Sequence, residues 1–314
     1  MGYKLAGFDV VGCCEIDPKM MKLYKANNKP KLAYLMDIRD MVKKLEYGTP
    51  QELRSLDILD GSPPCSVFSI AGERSKGWNV EKTFREGQRK QRLDDLFFYF
   101  LEVARILRPK VIVAENVKGL ISGNARGWVH EIVKVFKDIG YDLQIFLFNS
   151  ATMGVPQKRE RVFFIARRED LGLPKLEMRF DQEPILFKDV REEHGKPIKK
   201  DSQYAKLLKY RRPSDRCIAD INQRITRKSG GFSVPINHDN EPTQTITAGG
   251  SLLRYCDGLK MSDRDIINCQ TFPQDYDFMD QKVQYVCGMS VPPVMMANIA
   301  SSIYGQLFEE KETE

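Results

Sequence analysis

The 314-residue chain predicts an α/β fold, a parallel sheet with helices on both sides, joined to a second, smaller domain. Two observations carry this prediction. Up to about residue 167, short β-rich runs alternate with segments of helical periodicity, and from there to about residue 258 the pattern breaks into short basic pieces containing proline and glycine. A chain of this length has enough interior for a full core, in one large domain or in a large and a small one.

In chain order, the strand candidates are residues 9–14, 31–35, 56–59, 110–114, 143–148 and 161–166, each built around apolar residues. The first helix, residues 18–26, opens on Pro18, a residue suited to a first helical turn. The next, residues 93–107, places Leu96, Phe97, Phe100, Val103, Ala104 and Leu107 on one face and is stopped by Pro109. A third helix covers residues 128–139. The last, residues 294–308, follows Pro292-Pro293 and should pack back onto the sheet, leaving an acidic, frayed end at 309–314. Residues 1–167 and 259–314 therefore read as one domain, and residues 168–258 as the other.

The seven cysteines include no Cys-x-x-Cys and the three histidines lie far apart, so neither a disulfide framework nor a metal site is indicated. No uninterrupted apolar run approaches the roughly 18 residues of a membrane span, and the first residues carry no signal-peptide core, which predicts a soluble, cytoplasmic protein without a membrane partner. The net charge of +6 is unevenly spread. Residues 72–92 carry seven Lys/Arg against three Glu, and residues 196–228 carry eleven against three Asp, so the rest of the chain is net acidic. Two basic segments on an acidic body fit a polyanion held at two places, nucleic acid first among them, or else two solvated loops.

Three segments carry chemistry. Cys65 follows the run Leu56-Asp57-Ile58-Leu59 and the turn Asp60-Gly61-Ser62-Pro63-Pro64. The two prolines fix the path into the thiol, and Gly61 permits a sharp turn and close ligand approach. Read alone, Cys65 fits a small buried thiol as well as a nucleophile. Glu115 emerges at the end of Val111-Ile112-Val113-Ala114, and ligands in α/β sheets sit at the carboxyl ends of strands, so Glu115 and Cys65 should share a crevice. Gln157-Lys158-Arg159-Glu160-Arg161 leads into a third apolar strand, with alternation placing Arg159 and Arg161 on one face. A surface salt-bridge ladder is the alternative there.

Together, Pro64-Cys65, Glu115-Asn116-Val117 and Gln157-x-Arg159-x-Arg161 resemble, in this order, the signature of the DNA cytosine-5 methyltransferases. Glu15-Ile16-Asp17 is similar to the family's ribose-binding strand end, and Asp37-Ile38 sits where the family contacts adenine. Residues 259–273 and Gly288-Met289-Ser290-Val291-Pro292-Pro293 resemble its last two motifs. The resemblance covers nearly the whole chain outside residues 168–240.

It implies a Rossmann-like S-adenosylmethionine-dependent methyltransferase sheet, with residues 168–258 as a target-recognition domain and residues 72–92 as a mobile catalytic loop. It also implies a monomer acting on double-stranded DNA in the nucleoid, in a setting left open between restriction-modification, a phage and an orphan modification pathway. Cys65 would add to carbon 6 of a flipped-out cytosine and so make carbon 5 nucleophilic. Glu115 would hold ring nitrogen 3 and the exocyclic amine, and Arg161, supported by Arg159, would hold the 2-oxo edge or order the loop. Cofactor contacts would come from Glu15, Ile16, Asp37, Ile38, Pro64, Leu96 and Ser290. DNA contacts would come from Ser66, Ser69, Gln157, Thr245, Thr247 and Gly249.

Two departures stand out. The family's opening strand and Phe-x-Gly-x-Gly-Gly loop do not occur, so the sequence reads as truncated at its N-terminus. The strands ending at Glu15 and Asp60 should then face a gap with unpaired backbone. Met289 stands where the family usually has asparagine. A DNA-binding remnant unable to hold the cofactor is the rival reading.

Overall fold

The computed structural model describes residues 1–63, 95–122, 126–227 and 234–309. In chain order they form α1 (Gly2–Leu5), β1 (Gly12–Glu15), α2 (Pro18–Asn28), β2 (Leu32–Leu35), α3 (Ile38–Tyr47), β3 (Ile58–Gly61), α4 (Leu96–Leu107), β4 (Val111–Val117), α5 (Arg126–Asp138), β5 (Tyr141–Asn149) and β6 (Glu160–Arg168). They continue with α6 (Phe187–Val190), α7 (Gln203–Leu208), α8 (Ile218–Thr226), β7 (Ile236–Asn237), β8 (Leu253–Arg254), α9 (Asp263–Cys269), α10 (Val283–Met289) and α11 (Pro293–Leu307). The chain divides into two compact units. Asp9–Phe148, Glu160–Glu177 and Ile303–Glu314 form one, and Met1–Phe8, Asn149–Arg159 and Met178–Ser302 form the other.

The first unit holds the sheets. β1 pairs parallel with β2 and β3 parallel with β4, but β4 and β6 run antiparallel, in the order β3-β4-β6-β5. The fully parallel sheet expected from the alternation is therefore corrected to a mixed one. Parallel neighbours need a crossover of a dozen or more residues, and the link into β6 carries only the 3-10 turn Ser150–Thr152. Among the described residues, β1-β2 and β3-β4-β6-β5 are separate sheets, with no ladder joining β1 to β3.

The core explains the helices. In α4, Phe97, Phe100, Leu101 and Ala104 are buried against Ile112, Ala114, Val162 and Phe164, with the Phe97 and Phe164 rings edge to face at 5.5 Å. Gly61 is required by this packing rather than by a turn: a Cβ there would lie 2.4 Å from Phe100 Cε2. Helix α3 has no counterpart among the sequence-predicted elements, although its signals are present. Asp37 caps it through Arg39 N, and Met41, Val42 and Leu45 are buried on one face.

The last helix returns to this unit at its end, where Lys110 Nζ lies 5.5 Å from the Phe308 ring centroid and Gln306 exchanges hydrogen bonds with the Glu177 backbone. By length and composition, Val283–Leu307 is the one helical stretch among the described residues that could cross a membrane. Residues 290–292 break it into α10 and α11, and half of its apolar window is buried inside the fold.

The second unit has its own core, in which Leu207, Leu208, Ile218, Ile221, Ile236 and Leu253 pack together. Its basic segment is partly turned inward. Arg211 donates to the carbonyls of Tyr255, Leu208 and Cys256, while Lys196, Arg216 and Arg224 pair with Asp263, Glu241 and Asp215. Lys199, Lys200, Lys206, Lys209 and Arg212 remain exposed.

Candidate active site

The ladder pairs Val117 with Arg161, so the start of β6 lies at the carboxyl end of β4. Glu115 stands two residues back on the same face. Arg161 Nε donates to Glu115 Oε1 at 2.8 Å, with both side chains largely buried, and Arg161 Nη1 donates to the Glu160 carbonyl at 2.8 Å. Burial pulls the Arg161 guanidinium below its ordinary value, and the Glu115 carboxylate works against that shift. Next to Glu115, the buried Asn116 donates from Nδ2 to the Pro63 carbonyl at 3.1 Å, tying the end of β4 to the chain two residues before Cys65. Asn116 carried no assigned role in the sequence, and its position beside Glu115 was the available signal. Pro64, Cys65, Ser66 and Ser69, like the basic segment 72–92, lie outside the described residues.

A second group gathers where β1 and β2 end. These strands are parallel with Glu15 opposite Leu35, and Met36 N donates to the Glu15 carbonyl at 3.1 Å, so Glu15 and Asp37 sit at neighbouring strand ends. Burial raises the Glu15 carboxyl, an effect opposed by backbone N–H groups of Asp17 and Ile16. Asp17 N reaches Glu15 Oε1 at 2.8 Å. Ile16 exposes an apolar side chain beside it. Asp37 Oδ1 caps α3, and its carboxylate pairs with Arg39, which also reaches Asp95 at 2.6 Å. A carboxylate, an exposed aliphatic face and a second carboxylate suit the two hydroxyls, the flat base and the amine of an adenosine group. Ile38 and Leu96, the other two candidates here, face the protein: Ile38 packs on both core clusters and Leu96 is buried in the first turn of α4.

The remaining candidates fall in the second unit. Gln157 is fully buried, accepting from Ile246 N at 2.8 Å and donating to Gln270 Oε1 at 2.5 Å. Arg159 is 2% exposed, and its two terminal nitrogens donate to the carbonyls of Ile246 and Gly288, each at 3.0 Å. Thr245 Oγ1 donates to the Lys158 carbonyl and Thr247 Oγ1 to the Gly249 carbonyl, each at 2.7 Å. Ser290 Oγ donates to the Val286 carbonyl at 2.7 Å. Thus the structure brings Glu115 together with Arg161, while Arg159 serves the loop at residues 245–248.

Residues 1–305 match the profile of the C-5 cytosine-specific DNA methylases. The chain belongs to this family. Members transfer a methyl group from S-adenosylmethionine to carbon 5 of cytosine in DNA, so the chain is an S-adenosylmethionine-dependent enzyme with DNA as its substrate.

Among its relatives, the Type II methyltransferase M.FnuDI of Fusobacterium nucleatum is 29% identical over 262 residues, covering 80% of this chain and 67% of its own. The Type II methyltransferase M1.HphI of Haemophilus parahaemolyticus is 25% identical over 332 residues, covering 96% and 82%. The fold is shared with a prophage-encoded E. coli protein described as a DNA modification methyltransferase, at a TM-score of 0.70 and 19% identity over 98% of this chain and 95% of that one. A DNMT2 variant of Spodoptera frugiperda gives a TM-score of 0.61 at 16% identity, over 96% and 95%. These likenesses show that the chain has a Rossmann-like α/β fold.

Proposed function

We propose that this methylase acts on cytosines flipped out of double-stranded DNA at a specific sequence, through a covalent bond between Cys65 and carbon 6. The observation that carries the reading is the Glu115–Arg161 pair at the carboxyl end of β4, next to the Asn116 bond that fixes the approach to Cys65.

Bonding of Cys65 Sγ to carbon 6 sends the electron pair of the 5,6 double bond to carbon 5, which takes the methyl group. Loss of the carbon 5 proton to a base restores the double bond and expels the thiolate. Glu115 and Arg161 hold the ring's amine and oxo edges and stabilise the charge it gains. The partly buried pair keeps both groups aimed before the base arrives, which limits reorganisation during the reaction.

Bound S-adenosylmethionine supplies the methyl group. Glu15 and Asp37 would receive its ribose and adenine, with Ile16 against the base. Pro64 and Ser290 would complete the contacts, and Ile38 and Leu96 would support them from the core side. Residues 168–258 act as the target-recognition domain on a catalytic body of residues 1–167 and 259–314, with Thr245, Thr247 and Gly249 at the DNA and Ser66 and Ser69 beside the nucleophile. The names of the relatives favour a restriction-modification role, in the cytoplasm and on the nucleoid, with the enzyme working as a monomer.

Trapping on DNA that carries 5-fluorocytosine, with S-adenosylmethionine present, tests the reading. The chain should form a denaturation-resistant adduct that Cys65→Ala abolishes, and bisulfite sequencing of DNA from expressing cells should show one methylated motif. Absence of any adduct with the unaltered chain overturns it and favours a non-catalytic DNA-binding remnant.

A further inference from the structure

Within the second unit, five hydrogen bonds join segments far apart in sequence. Ile246 N donates to Gln157 Oε1 at 2.8 Å, Gln157 Nε2 donates to Gln270 Oε1 at 2.5 Å, and Gln270 Nε2 donates to the Ser290 carbonyl at 2.8 Å. Beside this line, Arg159 bridges the carbonyls of Ile246 and Gly288. Gln157 and Gln270 are both 0% exposed and Arg159 is 2% exposed. Buried amides retained at such cost are satisfied here by one another and by backbone at each end. One end of the relay is the loop of Thr245 and Thr247. The other is the segment that carries Ser290.

We propose that Gln157, Gln270 and Arg159 form a buried relay that couples the recognition loop at residues 245–248 to the cofactor segment at residues 288–290. Gln270 is then a positioning residue: it touches neither DNA nor cofactor, yet it sets the register of the segments that do. Its amide has one acceptor and one donor end. A shift of Ser290 changes where Gln270 holds Gln157, and so where Gln157 holds the Ile246 amide. Occupation of either segment should therefore tighten the other, and the coupling must be reciprocal in binding free energy. Packing reinforces the link, since a Cβ on Gly288 would lie 2.3 Å from Ala248 N, so the two backbones move together. The proposal rests on the assignment of Thr245, Thr247 and Ser290 to DNA and cofactor.

Hydrogen exchange of the unaltered full chain, read on peptides covering residues 243–250 and 286–292, tests the coupling without any variant. S-adenosylhomocysteine should slow exchange in 243–250 as well as in 286–292. In Gln270→Met, which keeps the bulk and removes the amide, protection of 286–292 should persist while protection of 243–250 is lost.

Steady-state methylation of unmethylated phage lambda DNA gives the second readout. Gln270→Met and Gln157→Met should each raise KM for both DNA and S-adenosylmethionine by about 3-fold to 10-fold, the range expected for one net hydrogen bond. The double variant should be no worse than the worse single one. A merely structural role would lower the active fraction, and with it kcat, while leaving both KM values alone. That pattern, additive effects, or no response of 243–250 to S-adenosylhomocysteine would overturn the relay. Failure of the methylase reading is separable, because it appears as an unaltered chain that incorporates no methyl group and in which S-adenosylhomocysteine protects neither segment, whereas failure of the relay leaves 286–292 protected and 243–250 unchanged.

Discussion

At Glu15, burial and function pull in opposite directions. Its carboxyl is raised above its ordinary value near 4.5 by desolvation, so the folded chain holds the proton more tightly than the unfolded one. Below about pH 4.5 both states are protonated and no penalty exists; as pH rises through the folded value, the charged side chain costs stability. Glu15→Gln should therefore melt higher than the unaltered protein at pH 7, with the difference shrinking toward pH 4. The same change should weaken S-adenosylmethionine binding about 10-fold to 100-fold, the worth of a charge-assisted hydrogen bond. Melting scans across pH and a calorimetric titration check the two halves.

The Glu115–Arg161 pair makes a different prediction. Glu115→Ala leaves a largely buried guanidinium without its partner and should cost about 3 kcal/mol in urea unfolding. Glu115→Met combined with Arg161→Met should cost less than the single truncation, although both variants abolish methyl transfer.

Elements succeed or fail on close approach. In β3, Gly61 admits the Phe100 ring of α4 and so lets the helix seat on the sheet that delivers Pro63. At the end of α10, Gly288 lies against the backbone of Thr247 and Ala248, and nearby Gln284 donates to the carbonyls of Thr247 and Gly250. Gly288→Ala must push backbone rather than a flexible side chain. It should destabilise the protein by about 1–3 kcal/mol, the range for overpacking a tight interior. It should also displace the loop of Thr247 from its bonds, and a rise in exchange at residues 243–250 is the check. Helix α3 was legible in principle: Asp37 as cap and Met41, Val42 and Leu45 on one face are local signals. Asp37 and Ile38, which resemble cofactor contacts in sequence, are also the cap and first residue of this helix.

For the whole molecule, charge decides how DNA is met. Of the basic residues in 196–228, Arg211, Arg216, Arg224 and Lys196 are committed to carbonyls and carboxylates within their own unit. The exposed Lys199, Lys200, Lys206 and Lys209 are the better candidates for phosphate. Replacing these four lysines with glutamine should flatten the dependence of log affinity on log salt by about 0.9 for each phosphate that is no longer neutralised. Filter binding from about 50 to 200 mM salt measures that slope, and an unchanged slope would remove these lysines from the interface.

Local features could be read from the residues alone: the alternation that makes a sheet unit, the strand ends that present Glu15 and Glu115, and the ordered motifs that state the chemistry. Strand direction was settled in three dimensions, because an apolar run looks the same parallel or antiparallel, and the short link into β6 excluded a crossover. Side-chain partnership was settled there too. Gln157 and Gln270 stand 113 positions apart, and a buried amide bonds to whatever packing brings against it. No local pattern records that choice, so Gln157, read in sequence as a DNA contact, and Arg159, read as a support for Arg161, bond in the folded chain to Ile246, Gln270 and Gly288.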